Sequence, residues 1–239
     1  MSGTLYGLGI GPGDPDLITL KAHAILRAVP VIAYPAPETG SSFARDIAAP
    51  HLPGGQQEIA IRMPMVAARY PAQEIYDRAA GVIAGHLGAG RDVAVLCEGD
   101  AFFYGSFMYL FGRLVEDHKV EIVPGVSSLS AGSARLGLPL TSRNDVLTVL
   151  PGPLPADELR ARIEAADAVA ILKVGKHLEK IRGVLEDLGL ADKARYIERA
   201  TLPDERSAAL GDLDPAEVPY FSLILVHKRG EAWTGEAWT

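Results

Sequence analysis

The sequence predicts an α/β protein made of two α/β domains with a cleft between them. Three observations predict it. Short apolar runs of strand length alternate with stretches whose apolar residues recur at helical spacing. Loops bearing Gly, Pro or Asp follow several of the strand-like runs. The alternation also restarts after a break near Leu138 to Ser142, which sets domains of 1–140 and 141–239. Such alternation implies mostly parallel sheets covered by helices.

In the first domain Leu5 to Ile10 is apolar and Gly-spaced, a first strand. Leu17 to Val29 places Leu17, Leu20, Ala24, Ile25 and Ala28 on one helical face, with Asp14 as a cap. Val31 to Tyr34 is a second strand, expected to stop at Pro35 and Pro37. Glu38 to Gln57 is rich in Pro, Gly and Ser and reads as irregular, with a helical turn near Phe43 to Ala48. Glu74 to Leu87 is a helix, Asp92 to Cys97 a strand, and Ser106 to Glu116 a helix. Val120 to Val123 is a strand closed by Pro124-Gly125, and Ser127 to Leu136 a helix ending at Gly137 as C-cap. In the second domain strands are expected at Val146 to Leu150, Ala168 to Val174, Ala194 to Ile197 and Phe221 to Val226. Helices are expected at Asp157 to Ala165 and Leu178 to Leu188. The tail repeats Gly-Glu-Ala-Trp-Thr at 230–234 and 235–239, too short for a structural repeat, and reads as an exposed terminus.

Bulk properties exclude several classes. The 239 residues carry 48% hydrophobic and 22% charged side chains, ordinary for a soluble protein. The net charge of −7 argues against a nucleic-acid partner held by a basic surface. One cysteine, Cys97, allows no internal disulfide and fits a reducing, cytoplasmic setting. The sequence opens on a strand-like run without a basic start, and no apolar run reaches the ~20 residues that span a bilayer. A membrane location is therefore not expected.

Three loops carry the chemistry. Cys97-Glu98-Gly99-Asp100-Ala101-Phe102-Phe103-Tyr104-Gly105-Ser106 links an apolar strand to a helix. Ligands of open α/β sheets bind beyond the carboxyl ends of strands. Acid, glycine and three aromatics at such a place suit a large, flat, partly polar ligand, although they also suit a plain connection. Gly7-Leu8-Gly9-Ile10-Gly11-Pro12-Gly13 sits where a dinucleotide loop would, yet has no GxGxxG spacing, and no acid ends the second strand. A nicotinamide cofactor is disfavoured. Pro124-Gly125-Val126-Ser127-Ser128 places two hydroxyls before a helix, where free N–H groups gather. The six histidines are scattered without a zinc-ligand spacing, so no metal is expected. Basic residues gather in loops, at Arg143, at Lys173, Lys176 and His177, and at Arg199 and Arg206. If they line a cleft they would attract a polyanion.

These motifs, in this order, resemble the tetrapyrrole methylase family. The matching stretches are Gly9 to Pro15, Glu98 to Tyr104, Pro124 to Ser128, Lys173 to Gly175 and Glu198 to Thr201. Together they span about Leu5 to Val226. One departure is visible: Ala101 stands where the family usually has proline, which should loosen the turn. The resemblance implies two α/β domains, S-adenosyl-L-methionine as cofactor, and methyl transfer to a meso carbon of a reduced tetrapyrrole bearing eight carboxylates. It implies a homodimer as well. Its cofactor residues map onto Pro12, Glu98, Gly99, Asp100, Phe103, Ser127, Ser128, Val174 and Ala200. Arg143, Lys176 and Arg199 are expected to meet substrate carboxylates. A proton must leave the carbon after transfer, with Tyr104, Asp100 or solvent as acceptor. Two alternatives stay open: another methylase of the family, such as one acting on uroporphyrinogen, and a non-catalytic tetrapyrrole carrier or chelatase.

Overall fold

The computed structural model describes residues 2–63 and 69–229. The tandem pentapeptide at 230–239 lies outside the described residues. The chain divides into two compact units, Met1–Ser128 and Leu129–Thr239.

In the first unit β1 (Thr4–Gly9), β2 (Val31–Pro37), β3 (Gln57–Met63), β4 (Val93–Cys97) and β5 (Lys119–Val123) form one sheet in the order β3-β2-β4-β1-β5. Every pairing in it is parallel. Parallel sheets are covered on both faces, so their strands are apolar on both sides. Accordingly Val93, Val95 and Cys97 face one core while Ala94 and Leu96 face another. The first core is closed by α3 (Arg69–Gly88) and α4 (Phe107–Leu114), the second by α1 (Leu20–Ala28) and α2 (Phe43–Ala48).

Three details depart from the sequence expectations. The helix expected from Leu17 starts at Leu20, where Thr19 Oγ1 accepts from the Ala22 N–H (3.2 Å). Asp14 instead caps a 3-10 turn over Pro15–Leu17. Strand β2 does not stop at Pro35. Its ladder to β4 ends at Ala33, so neither proline has to donate there, and its ladder to β3 continues through Pro37. Strand β3 was not anticipated: Ile59, Ile61 and Met63 alternate with the exposed Glu58, Ala60 and Arg62 in a strand paired on one side only.

The second unit contains α5 (Ser128–Leu136) from Leu129 onward. Its sheet is β6 (Leu147–Pro151), β7 (Ala168–Leu172), β8 (Ala194–Glu198), β9 (Arg206–Ala208) and β10 (Ser222–His227), in the order β6-β7-β10-β8-β9. α6 (Ala156–Ala165) and α7 (Leu178–Asp187) close one face. α5 closes the other, where a Cβ on Gly132 would stand 2.8 Å from Leu223 Cδ2. That close approach ties α5 to the second sheet. Gly137 ends α5 at φ 61°, with the Leu138 N–H returning to Ser133 O.

The expectation of mostly parallel sheets fails in this unit. Only β6 and β7 pair in parallel, while β10 runs antiparallel to both β7 and β8, and β9 antiparallel to β8. The physical reason is the connection. A parallel return needs a crossover, usually a helix, and the stretch between β8 and β10 holds only β9 and a 3-10 turn at Leu210–Asp212.

Candidate functional site

β1 lies between β4 and β5 in the first sheet, with Gly9 level with Cys97 and Leu8 level with Val123. All three strands are parallel, so the loops that follow them emerge side by side. β1 continues into α1 on one face, and β4 into α4 on the other. Divergence of this kind between neighbouring strands marks the place where open α/β sheets bind ligands.

The loops are bonded to one another. Gly11 and Gly99 exchange two backbone hydrogen bonds, Gly99 N to Gly11 O at 2.7 Å and Gly11 N to Gly99 O at 3.3 Å. A Cβ on Gly125 would stand 2.1 Å from Gly99 O and 2.7 Å from the Gly9 carbonyl carbon. Backbone meets backbone there, and only glycine fits.

Asp100 completes the junction. Its Oδ1 accepts from the Phe102 and Phe103 N–H groups (2.9 and 3.0 Å), and its Oδ2 accepts from the Gly125 N–H (2.9 Å). The carboxylate thus fixes its own turn and ties it to the loop after β5. Bonds to a charged acceptor are about twice as strong as neutral ones. The looseness expected from Ala101 is met by this side chain. Ala101 itself is fully buried.

Glu98 is half-buried beside it, and burial pushes its carboxyl above the ordinary range, partly offset by N–H donors of its own residue and of Ala44. The sequence reading did not foresee this tie between β4 and α2. Nothing in the spacing of Ala44 signals it.

Pro12 is buried, Ser127 half-buried and Ser128 exposed. Phe103 and Tyr104 are partly exposed and meet edge to face with centroids 5.2 Å apart. Tyr104 holds φ 56°, a left-handed conformation that costs a side chain roughly 1–2 kcal/mol.

The remaining expected residues belong to the second unit. Val174 is fully buried in its core, so a ligand would meet its backbone rather than its isopropyl group. Ala200 is also buried. Arg199 pairs with Asp204 (2.9 Å), and Arg143 and Lys176 are exposed. Arg143, Lys173, Arg199 and Thr201 all have positive φ, from 47° to 73°. With Tyr104 they are the non-glycine residues with positive φ among the described residues, and all sit in loops the sequence singled out. Strain of this sort collects at functional sites.

No group of three His, Cys, Asp or Glu side chains gathers for a metal among the described residues. No helix among them is long and apolar enough to cross a membrane.

The first unit suits an adenosyl amino acid. Its glycine junction lets a ligand approach bare backbone, Phe103 offers an apolar face, and Ser127, Ser128 and Glu98 offer a few polar anchors. A pocket with few polar anchors in an apolar frame is the usual form of a small-molecule site.

The fold and its loop junction are those of a ligand-binding α/β protein with its site at the carboxyl ends of parallel strands. The chain belongs to the tetrapyrrole (corrin/porphyrin) methylases, whose family model matches residues 4–214. It is similar to the precorrin-2 C(20)-methyltransferase of a Sinorhizobium species, 40% identical over 232 residues, with 94% of this chain and 95% of that protein covered. It is 43% identical over 232 residues to the cobalamin biosynthesis protein CobIJ of Mycobacterium tuberculosis. That match covers 94% of this chain and 46% of the relative, so the chain spans about half of that protein's length. Among solved structures it is similar to uroporphyrin-III C-methyl transferase of Thermus thermophilus, complexed with S-adenosyl homocysteine. The TM-score is 0.68 at 27% identity, covering 95% of this chain and 99% of that one.

Proposed function

We propose that this chain is an S-adenosyl-L-methionine-dependent C-methyltransferase acting on the C20 meso carbon of precorrin-2, or of its cobalt-loaded counterpart, in corrin synthesis. The observation that carries this reading is the 40% identity to a precorrin-2 C(20)-methyltransferase over nearly the full length of both chains. The junction of Gly11, Gly99, Asp100 and Gly125 supplies the physical support. The protein would act in the cytoplasm as a homodimer, with a tetrapyrrole as its small-molecule partner.

When bound, the cofactor supplies a methyl group on a sulfonium, a good target for displacement. Pro12, Glu98, Gly99, Asp100, Phe103, Ser127 and Ser128 would hold it, with Val174 and Ala200 contributing backbone. The protein's task is alignment of the meso carbon with that methyl group and exclusion of water. Alignment alone can supply up to ~7–11 kcal/mol of a barrier. No strong base is needed for the attack. Asp100 already accepts three N–H groups, so it acts by holding the turn. The Tyr104 hydroxyl is our choice for the leaving proton: Oη accepts it from the meso carbon while passing its own proton to water. Arg143, Lys176 and Arg199 would pair with substrate carboxylates.

The test is incubation of the reduced pigment, metal-free and cobalt-loaded in parallel, with S-adenosyl-L-methionine. A mass gain of one methyl group, located at C20 by carbon-13 labelling, supports the reading. A methyl group on a pyrrole carbon would select the uroporphyrinogen type of methylase, and pigment binding without transfer would select a carrier.

A further inference from the structure

Arg143 sits at the tip of a tight turn in the second unit. The Asp145 N–H returns to Ser142 O (2.9 Å), and the Ser142 N–H donates to Asp145 Oδ2 (3.2 Å). Arg143 holds φ 47° within this turn. A turn so closed presents its second residue outward, and Arg143 is exposed.

The turn is anchored to the far end of β10. The Asp145 side chain is only 2% exposed. His227 Nε2 lies 3.3 Å from its Oδ2, and Arg229 Nη1 lies 3.2 Å from its Oδ1. Arg229 reaches a second carboxylate as well, with Nη2 2.7 Å from Asp167 Oδ1. Asp167 Oδ2 in turn accepts from the Val146 N–H (2.9 Å). One guanidinium therefore bridges two aspartates, and each aspartate holds the backbone at one end of the segment 142–146.

A carboxylate taken out of water is costly unless it is paired and hydrogen-bonded. Here the pairing is spent on a surface turn of four residues with Arg143 and Asn144 exposed, and the first of these is a cation in a strained conformation. A solvated surface charge needs no such mount. A cation that must meet a fixed anionic group does, because a pre-set guanidinium loses less side-chain freedom when it binds.

We propose that Asp145, His227 and Arg229 are positioning residues that hold Arg143 ready for a carboxylate of the tetrapyrrole substrate. The inference rests on the methyltransferase reading and adds a specificity device to it. It gives the second unit's turn a role in recognition of the polyanionic substrate, distinct from cofactor binding.

The test is a double-mutant cycle on the full chain. Arg143→Ala and Arg229→Gln are made singly and together, with KM for the pigment, kcat and S-adenosylhomocysteine affinity measured for each. Arg229→Gln leaves the buried Asp145 with fewer partners and should lower stability, and a thermal melt checks that the variant is still folded at the assay temperature. Either single change should raise KM about fivefold, with kcat and cofactor-product affinity within about twofold of the parent. The double variant should match Arg143→Ala alone, because both changes remove one interaction. Arg229→Lys, which keeps the charge near Asp145, should recover part of the KM. Full additivity in the double variant, or an unchanged KM in Arg229→Gln, overturns the proposal. Absence of methyl transfer by the parent enzyme would overturn the methyltransferase reading instead, and that result is visible before any variant is made.

Discussion

The two units hold their candidate loops by different means. In the first, the left-handed residues that join the loops are glycines, Gly11 and Gly99, with Tyr104 the one non-glycine at positive φ among the described residues, and backbone bonds hold the loops together. One side chain, Asp100, closes the arrangement. In the second, the non-glycine left-handed positions are Arg143, Lys173, Arg199 and Thr201, with Gly175 in the loop of Lys173, and buried charged or polar groups hold the loops at Arg143 and Arg199. Asp145 with His227 and Arg229 anchors one. At the end of β8 the Tyr196 hydroxyl donates to the buried Glu198 carboxylate, just before Arg199. A glycine loop exposes bare backbone and suits a ligand that binds close to the main chain. A strained cationic loop gives up stability to aim a side chain, and suits a ligand read by its charges. Under the proposed function, the contrast fits a cofactor gripped chiefly by the first unit, with backbone of Val174 and Ala200 added from the second, and a substrate read by the second unit's cations.

The largest effect should come from Gly125→Ala. The added Cβ meets Gly99 O, a backbone atom that cannot swing aside. Activity should fall about a hundredfold through displacement of the junction, and stability by about 3 kcal/mol. Near-parent activity would show that the junction is not where the chemistry is held.

Asp100→Ala comes next, because three backbone N–H groups lose their acceptor. Methyl transfer should drop at least about tenfold and stability by about 2–3 kcal/mol. Asp100→Asn separates the two oxygens: the amide can still accept from Phe102 and Phe103 but presents an N–H to Gly125. It should fall between the parent and the alanine variant in both measurements. An asparagine variant as poor as alanine would mean that the Gly125 bond carries the whole effect.

Arg143 sharpens the contrast at smaller cost. Arg143→Gly relieves the left-handed strain while Arg143→Ala keeps it, so glycine should be the more stable of the pair by about 1 kcal/mol in thermal or urea unfolding. Both should raise the pigment KM equally, since both lose the cation. A stability difference without a KM change would leave Arg143 a strained surface residue only.

Glu98 gives the smallest and most condition-dependent effect. Burial raises its folded-state carboxyl above the ordinary value of 4.5. The folded form thus binds its proton more tightly than the unfolded chain. Stability from this group is present at low pH and is lost as pH rises past the ordinary glutamate value toward the raised folded one. Glu98→Gln should therefore gain stability relative to the parent above that range and show no gain at pH 4. A gain that does not vary with pH would assign it to packing.

Much of the first unit could be read in the sequence, and the reason is geometric. A parallel sheet brings the loops after β1, β4 and β5 to one edge, so three separate Gly-bearing motifs become neighbours once the topology is assumed. Pattern and proximity coincide there. The Asp100 side chain was singled out by its motif, but its three N–H partners depend on the exact turn and were not foreseen. Strand β3 escaped because its partner covers one side only and its run is half polar. β2 looked too short because prolines forbid a donor, not a strand, once the neighbouring ladder has ended. In the second unit the sequence shows no helical spacing between β8 and β10, but the antiparallel insertion of β10 between β7 and β8 depends on long-range pairing that local spacing does not encode. His227 read as one more scattered histidine. Its place beside Asp145 arises from a pairing over 82 residues of chain that no local pattern encodes.

Hydrogen–deuterium exchange with and without S-adenosylhomocysteine tests the division of labour most directly. The ligand should slow exchange in the first unit at 9–13, 98–104 and 125–128, and leave 142–146 in the second unit unchanged. Binding that leaves those three loops unprotected, or protection confined to other parts of the first unit, would contradict the assignment of the glycine junction as the cofactor's seat.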